Sequence, residues 1–450
     1  MSLALILVLL AAQPEGEPGR VAFEDVNVLP MDAERVLAHQ TVSIRDGFIE
    51  EISPWRSSKL APGAKRILGN GDLYLMPGLA DMHVHAERSE DLLLYVTHGV
   101  TTVLNLGGAR GDLVHSIRDK IEKGEVLGPH CYVSFIIDGS GLPDIFFVKS
   151  AEEARAAVRL AKTNGYDFIK VYNTLSREAF FAIIDEARSQ GLAVGGHGVR
   201  SVGLKEQLAA GQVMVAHGEE FIYSAFWDKL DEAQVPEVVA WTKASGAYVI
   251  PNLSAFNAIA RQWGKPAEVR EFLRQKTAHD LREDLLLDWL RSRYAKRQGS
   301  LSKEAAFLKK LTRALSDAAV PLMTGTDSPV IPGMFPGASE WVDIQLLIDA
   351  GLSRFQALSA ATRIPGVFIH ANVAGAPRFG TVAVGNRADL LLVRGNPLQD
   401  ISALTRIEGV MVGGRWYPRS VLEEHRKALR ARFEQADRIR RNATSGVGAF

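Results

Sequence analysis

Two histidines one residue apart, His83 and His85, are followed at long intervals by Lys170, His197, His217 and Asp327. Imidazole and carboxylate are good donors for zinc and similar divalent cations, and such a cation makes a nucleophile from water without a serine or cysteine machinery. Each residue alone has a plain structural reading: a His-x-His pair packs in cores, and an Asp caps a helix. The only cysteine, Cys131, belongs to no Cys/His metal spacing and has no internal disulfide partner, so it reads as a buried core thiol. The chemistry therefore depends on whether the fold brings six distant donors to one place.

Eight apolar runs alternate with helical patterns: Gly78 to His85, Val100 to Leu106, Cys131 to Asp138, Tyr166 to Tyr172, Leu192 to His197, Val213 to His217, Ala247 to Leu253 and Val320 to Asp327. That rhythm predicts an α/β protein in which a (β/α)8 TIM barrel carries its chemistry at the C-terminal strand ends. Side chains alternate along a strand, so His83 and His85 share one face and Val84 takes the other. In Phe168-Ile169-Lys170-Val171, the apolar Ile169 and Val171 claim the helix-packed face and send Lys170 inward. A lone ammonium there would cost several kcal/mol. It needs a carboxylate partner, a depressed pKa, or reaction with carbon dioxide to a carbamate that bridges two metals, and four inward histidines favour the last. His197 follows Gly195-Gly196, where glycines let the backbone crowd the site, and His217 and Asp327 end the sixth and eighth runs.

Short β-like pieces over 21–76 and again over 379–417 predict a composite β-sandwich from both ends of the chain, flanking a barrel over 77–378. The connection from Ser254 to Ala319, with Phe256, Trp263 and Trp289, is long enough for a lid over the mouth or a helical hairpin packed outside. The stretch 418–450 reads as a charged exposed helical tail, solvated or used in an oligomer. A hydrophobic share of 47% supports a large core, and 52 basic against 52 acidic residues leave no net field to gather nucleic acid or an anionic membrane. A small-molecule or dipeptide-like substrate is expected, and a homo-oligomer fits the length. The apolar run Leu3 to Ala12 is too short to span a bilayer and suits an export signal over 1–20, although no Lys or Arg precedes it. The mature protein is then periplasmic or secreted; without cleavage it is cytoplasmic.

The order His-x-His, Lys, His, His, Asp resembles the amidohydrolase superfamily over nearly the whole mature chain. Supporting phrases are Pro77-Gly78-Leu79-Ala80-Asp81, Gly99-Val100-Thr101-Thr102-Val103 and Gly385-Asn386-Arg387-Ala388-Asp389-Leu390. The chain looks most like the binuclear branch near imidazolonepropionase that holds prolidases and metallo-carboxypeptidases. The resemblance implies that His83, His85 and Asp327 hold the more buried metal, that His197 and His217 hold the other, and that carboxylated Lys170 bridges them. It implies two divalent ions, zinc by default, sharing a hydroxide that attacks an amide while Asp327 accepts and returns the proton.

Tyr172, two residues past Lys170 on the same face, is a candidate donor to a substrate carboxylate or oxyanion; wall packing is the alternative. Arg200 is a candidate carboxylate clamp, otherwise a solvated loop side chain, and Phe221, Tyr223, Phe226 and Trp227 are candidates for an apolar wall, with Tyr223 facing substrate. The substrate expected is an Xaa-Pro dipeptide or N-acyl amino acid. Lactone, ester or phosphotriester hydrolysis on the same site is the nearest rival, and a scaffold without catalysis the more distant one. Barrel deaminases carry an acid three residues after the fifth-strand histidine, where this chain has Arg200, although Glu220 holds that offset after His217. A mononuclear imidazolonepropionase site would have no use for Lys170.

Overall fold

A computed structural model describes residues 19–445 apart from 59 and 142–144, with side chains described to residue 434. The export signal expected over 1–20 thus lies, but for its last two residues, outside the described residues.

The central sheet is parallel and curled. Its strands run Leu79–Val84, Val100–Asn105, His130–Asp138, Phe168–Val171, Ala193–Gly196, Met214–Val215 and Tyr248–Val249 in spatial as well as chain order, with Phe146–Phe147 added beside the third. The eighth run forms no ladder and touches its neighbours through two parallel bridges, Val249 to Leu322 and Val84 to Ser328. Backbone bonds from Met323 to Val249, Met82 to Thr324 and His85 to Ser328 carry it across the gap between the seventh strand and the first.

Alternation sorts the side chains as expected. Ile169 and Val171 pack with Ala179, Phe180, Ile183 and Ala187 of the helix Arg177–Gln190, on the outer side. Phe168 turns inward to Met82, Leu104, Met214, Ile250 and Met323, where Phe368 and Ile369 of the helix Arg363–Asn372 pack against them. The helix Arg177–Gln190 starts where the Ser176 hydroxyl accepts from the Ala179 N–H and stops at Gly191, whose φ of 66° is cheap only for glycine. Phe180 and Ile183 on its apolar face are fully buried, each stabilising by about 1.5–3 kcal/mol.

The two ends of the chain meet as expected, but in one continuous sheet. Leu390–Arg394 pairs antiparallel with Leu73–Pro77 over five residues and joins Ile407–Val412 and Arg415–Pro418 to Val21–Val28, Leu37–Arg45, Phe48–Pro54 and Lys65–Leu68. Phe23 and Trp416 touch at a 5.1 Å ring separation although three strands lie between theirs, so the sheet bends over its own core. Its other face, with Leu391, Val393 and Val410, joins the core under the first strands of the curled sheet. Beneath the curled sheet a buried ion network ties the parts: Arg387 to Asp389, Asp389 to His130 at 3.1 Å, and His130 to Glu122 at 2.7 Å.

The connection after the seventh strand folds as helices Leu253–Gln262, Pro266–Arg274, Glu283–Leu290 and Ser302–Asp317. The C-terminal helix Arg419–Ser445 corrects the expectation of an exposed tail in its first half. Leu429 is buried against Leu94 and Phe272, and Arg426 and Arg430 both bind Asp280, a carboxylate only 2% exposed. A run rich in Arg and Glu reads as solvated because the buried acid it serves lies 146 residues away.

Candidate metal centre

All six donors converge on one end of the curled sheet. Asp327 Oδ1 lies 2.8 Å from His85 Nε2 and 3.4 Å from His83 Nε2, and the ligand atoms of these three residues all fall within 4.8 Å of one another. Lys170 Nζ is 3.2 Å from His83 Nε2. The His83 and His217 rings are 4.4 Å apart, and His217 and His197 4.6 Å, so the second histidine pair adjoins the first. The site floors a cavity of about 840 Å³.

Local backbone explains the closeness. Gly196 has φ of 126°, and a Cβ there would stand 2.4 Å from the Val171 carbonyl oxygen, so only glycine lets the fifth strand press on the fourth beside Lys170. Asp327 itself takes φ of 59°, a conformation few non-glycine residues adopt, and its N–H donates to the His83 carbonyl at 2.7 Å. That bond aims the carboxylate back at the first strand. Behind it, Asp81 accepts from the backbone N–H groups of His83 and Thr326 and from the Thr326 hydroxyl, bracing the first strand to the eighth segment.

Burial holds the imidazoles neutral. It is the largest cause that puts His83 and His197 well below the ordinary histidine range, reinforced by Lys170 and by neighbouring rings, and it carries His217 down to about 3. Neutral imidazoles keep a lone pair for a cation. His83 Nδ1 meets the Ala216 carbonyl at 3.1 Å, which makes Nδ1 the donor and leaves Nε2 as the coordinating atom. His197 and His217 each bury an Nδ1 that has no hydrogen-bond partner. Such orphaned nitrogens are costly unless something binds them, and together with the His83, His85 and Asp327 group they fit divalent cations in donor type and number. Asp327 is held below its usual range: burial opposes the charge, and His85, His217 and Lys170 outweigh it. Burial pushes Lys170 down to about 8, which enlarges its share of neutral amine near neutral pH.

Tyr172 lines the cavity with its ring 4.0 Å from that of His197, and burial lifts its phenol to about 12. Tyr223 also lines the cavity, whereas Phe221 and Phe226 point into the core and Trp227 is exposed. Arg200 lines the rim, but its guanidinium binds Asp228. Of the long connection, Phe256 and Trp263 reach the cavity while Trp289 is buried, donating to the Pro329 carbonyl at 2.8 Å.

Two acids stand beside the donors, Glu220, which the sequence marked only by its offset after His217, and Glu219, which it did not mark. Glu220 accepts from Asn173 and from the Gly198 N–H at 3.0 Å and lies 3.7 Å from His197 Nε2, and Glu219 lies 3.7 Å from His217 Nδ1. Burial lifts Glu220 to about 7, with Asn173 and Gly198 opposing, and Glu219 to about 8. Their place two and three residues after His217 was the available signal.

Histidines, a lysine and an aspartate gathered at the C-terminal strand ends of a curled parallel sheet form a donor set of the kind that can hold a divalent cation. Residues 74–417 match the Amidohydrolase family, and the chain belongs to that family. It is therefore a hydrolytic enzyme acting on carbon–nitrogen bonds. No curated protein matches the chain. Among solved structures it is similar to a bottromycin amidohydrolase, at 24% identity over 94% of this chain and 92% of that one, with a TM-score of 0.73. A candidate prolidase from Bifidobacterium longum shares 23% identity over 92% and 100% of the two chains, with a TM-score of 0.68. An Xaa-Pro dipeptidase with bound methionine shares 20% over 89% and 100%, with a TM-score of 0.67. At these identities the likeness establishes the fold.

Proposed function

We propose that this enzyme hydrolyses an amide bond in a small substrate bearing a free carboxylate, of the Xaa-Pro dipeptide or N-acyl amino acid type, within a complete (β/α)8 barrel. The observation that carries the reading is the convergence of His85, Lys170, His197, His217 and Asp327 at the floor of one cavity, with His83 buried against them. His83, His85 and Asp327 would hold one divalent cation and His197 and His217 a second, zinc in this reading, with a carbamate on Lys170 between them. When bound, the pair supplies Lewis acidity to a carbonyl oxygen and brings water close to ionisation at neutral pH. The neutral fraction of Lys170 is the form that adds to carbon dioxide, releasing a proton.

Asp327, kept anionic by His85, His217 and Lys170, takes the proton of the attacking water and delivers it to the leaving amine. Tyr172 stays protonated and donates to the oxygen that gains charge in the tetrahedral intermediate. Glu220, tied to Asn173 and Gly198, steadies His197 from behind. Similarity in fold to an Xaa-Pro dipeptidase and to a bottromycin amidohydrolase supports an amide substrate.

The test is metal analysis of the purified protein, then turnover of Xaa-Pro dipeptides and N-acyl amino acids beside lactones, aryl esters and phosphotriesters. About two ions per chain and turnover of the amides are expected. Silence on every amide with turnover of an ester, lactone or phosphotriester overturns the substrate reading, and no metal uptake after reconstitution overturns the catalytic one.

A further inference from the structure

The carboxylate clamp expected at Arg200 is engaged elsewhere, because Arg200 is ion-paired with Asp228 at the cavity rim. Arg291, also in the lining, faces Asp288 at 3.4 Å. Arg297 lies over the Trp263 ring, 5.9 Å from its centre. Arg293 differs from the first two: among the described residues it has no carboxylate within ion-pair distance, and its one side-chain hydrogen bond runs from Nη2 to the Tyr294 hydroxyl at 3.2 Å. Its guanidinium also sits 5.1 Å from the Tyr294 ring centre, and both residues line the same cavity as Tyr172 and Asp327.

The surroundings hold this pair in place. Trp263 stacks on Tyr294 at 6.3 Å and is fixed by its own indole N–H donating to the Gln298 carbonyl at 2.8 Å. The Tyr294 carbonyl accepts from the Gly264 and Arg297 N–H groups, which pins the short turn Tyr294–Lys296 to the end of the helix Leu253–Gln262. A guanidinium beside a phenol, on a braced turn across from a metal-type donor set and with no carboxylate within ion-pair distance among the described residues, is a ready receptor for a substrate carboxylate: it offers parallel N–H donors and charge.

We infer that Arg293 and Tyr294, both supplied by the long connection after the seventh strand, form the subsite that holds the free carboxylate of the substrate, making the enzyme selective for amides whose cleaved partner ends in that group. The inference rests on the proposed amide hydrolysis for its kinetic readout and on the cavity alone for its binding readout. The connection is then more than a cover: it carries the recognition element, and the metal-site strands carry the chemistry.

The experiment compares holoenzyme with Arg293→Gln, Arg293→Lys, Arg200→Gln and, as a control on the same connection, Arg274→Gln. Binding of L-proline and N-acetyl-L-methionine is measured by calorimetry against their carboxamides, and kcat and KM are measured for a matched N-acyl amino acid and its carboxamide. A charged, hydrogen-bonded guanidinium contact predicts that Arg293→Gln weakens the carboxylates about 10- to 100-fold, mainly in KM, and leaves the carboxamides within about twofold. Arg293→Lys should restore part of the loss, and Arg274→Gln, outside the cavity lining, should match wild type. Equal loss on carboxylate and carboxamide, no discrimination by the wild type, or a selective loss found in Arg200→Gln instead would overturn the subsite. If the wild type discriminates in binding and Arg293→Gln abolishes the discrimination, yet no amide is turned over, the subsite stands and the amide reading falls.

Discussion

Gly107 sits directly behind His85, and replacing it with alanine tests whether the first-strand histidine pair must be where it is. A Cβ at this position would lie 2.5 Å from His85 Nδ1, 2.8 Å from Cγ and 3.2 Å from the His85 Cα. Carbon contacts are comfortable only beyond about 3.5 Å, so the imidazole must retreat by roughly 1 Å. Metal–ligand distances tolerate only about 0.2 Å. The shift would also break the 2.8 Å contact between His85 and Asp327. Disturbing even the outer partners of a metal site costs about 10- to 100-fold in affinity or activity, so displacing a ligand should lower kcat/KM by at least about 100-fold. The fold should survive. Gly107 lies outside the left-handed region, and overpacking of this size costs about 1–3 kcal/mol. Metal per chain by mass spectrometry, kcat/KM and urea unfolding on one preparation separate the two effects. Gly111→Ala is the control, since its added Cβ meets only His115, at 3.9 Å. Wild-type metal content and turnover in Gly107→Ala, or the same loss in the control, would refute the role given to His85.

Lys170→Ala should lose metal and activity together and regain part of both with a short-chain carboxylic acid in place of the carbamate; an unchanged turnover number would remove the bridge. The network below the sheet sets a pH window for stability. Burial opposes the charge on His130, but Asp389 and Glu122 prevail and raise its pKa, so its contribution is complete below the unfolded value of about 6.5 and lost as pH rises through the folded one. Burial likewise opposes Asp389, but Arg387 and His130 depress it far below the usual range; its contribution is complete above about pH 3.9 and lost on acidification. The network's own contribution is therefore greatest between these limits. His130→Gln should flatten the alkaline fall in Tm, and a parallel curve would exclude the network as its cause. Asp280→Ala strands Arg426 and Arg430, which keep access to water, and should cost about 1.5–3 kcal/mol, read by urea unfolding and by faster proteolysis near residues 275–300. An unchanged proteolysis rate would show that the C-terminal helix does not secure the connection.

The candidate centre was legible where physics is local. Ile169 and Val171 are apolar and Lys170 is not, so any strand there had to place the lysine on the inner face. The eighth run was legible as a place but not as a strand. Gly325, the positive φ of Asp327 and the following proline prevent a regular ladder, and the segment is held by side-chain and backbone bonds to Asp81, Asn252 and His83. The charged C-terminal helix misled because its apolar side, Leu422, Leu429 and Phe433, is narrow and its arginines serve a buried acid in another part of the chain.

Arg200 and Arg293 divide the two kinds of knowledge. Composition, alternation and the order of donors determined that this chain would build an inward-facing set of histidines, lysine and aspartate, because side-chain direction in a strand follows from the period of two alone. Which arginine is free to meet substrate was decided by the tertiary structure. That depends on where Asp228 and Asp288 come to lie and on how the connection folds along the mouth, and a charge finds its partner by distance in space rather than along the chain.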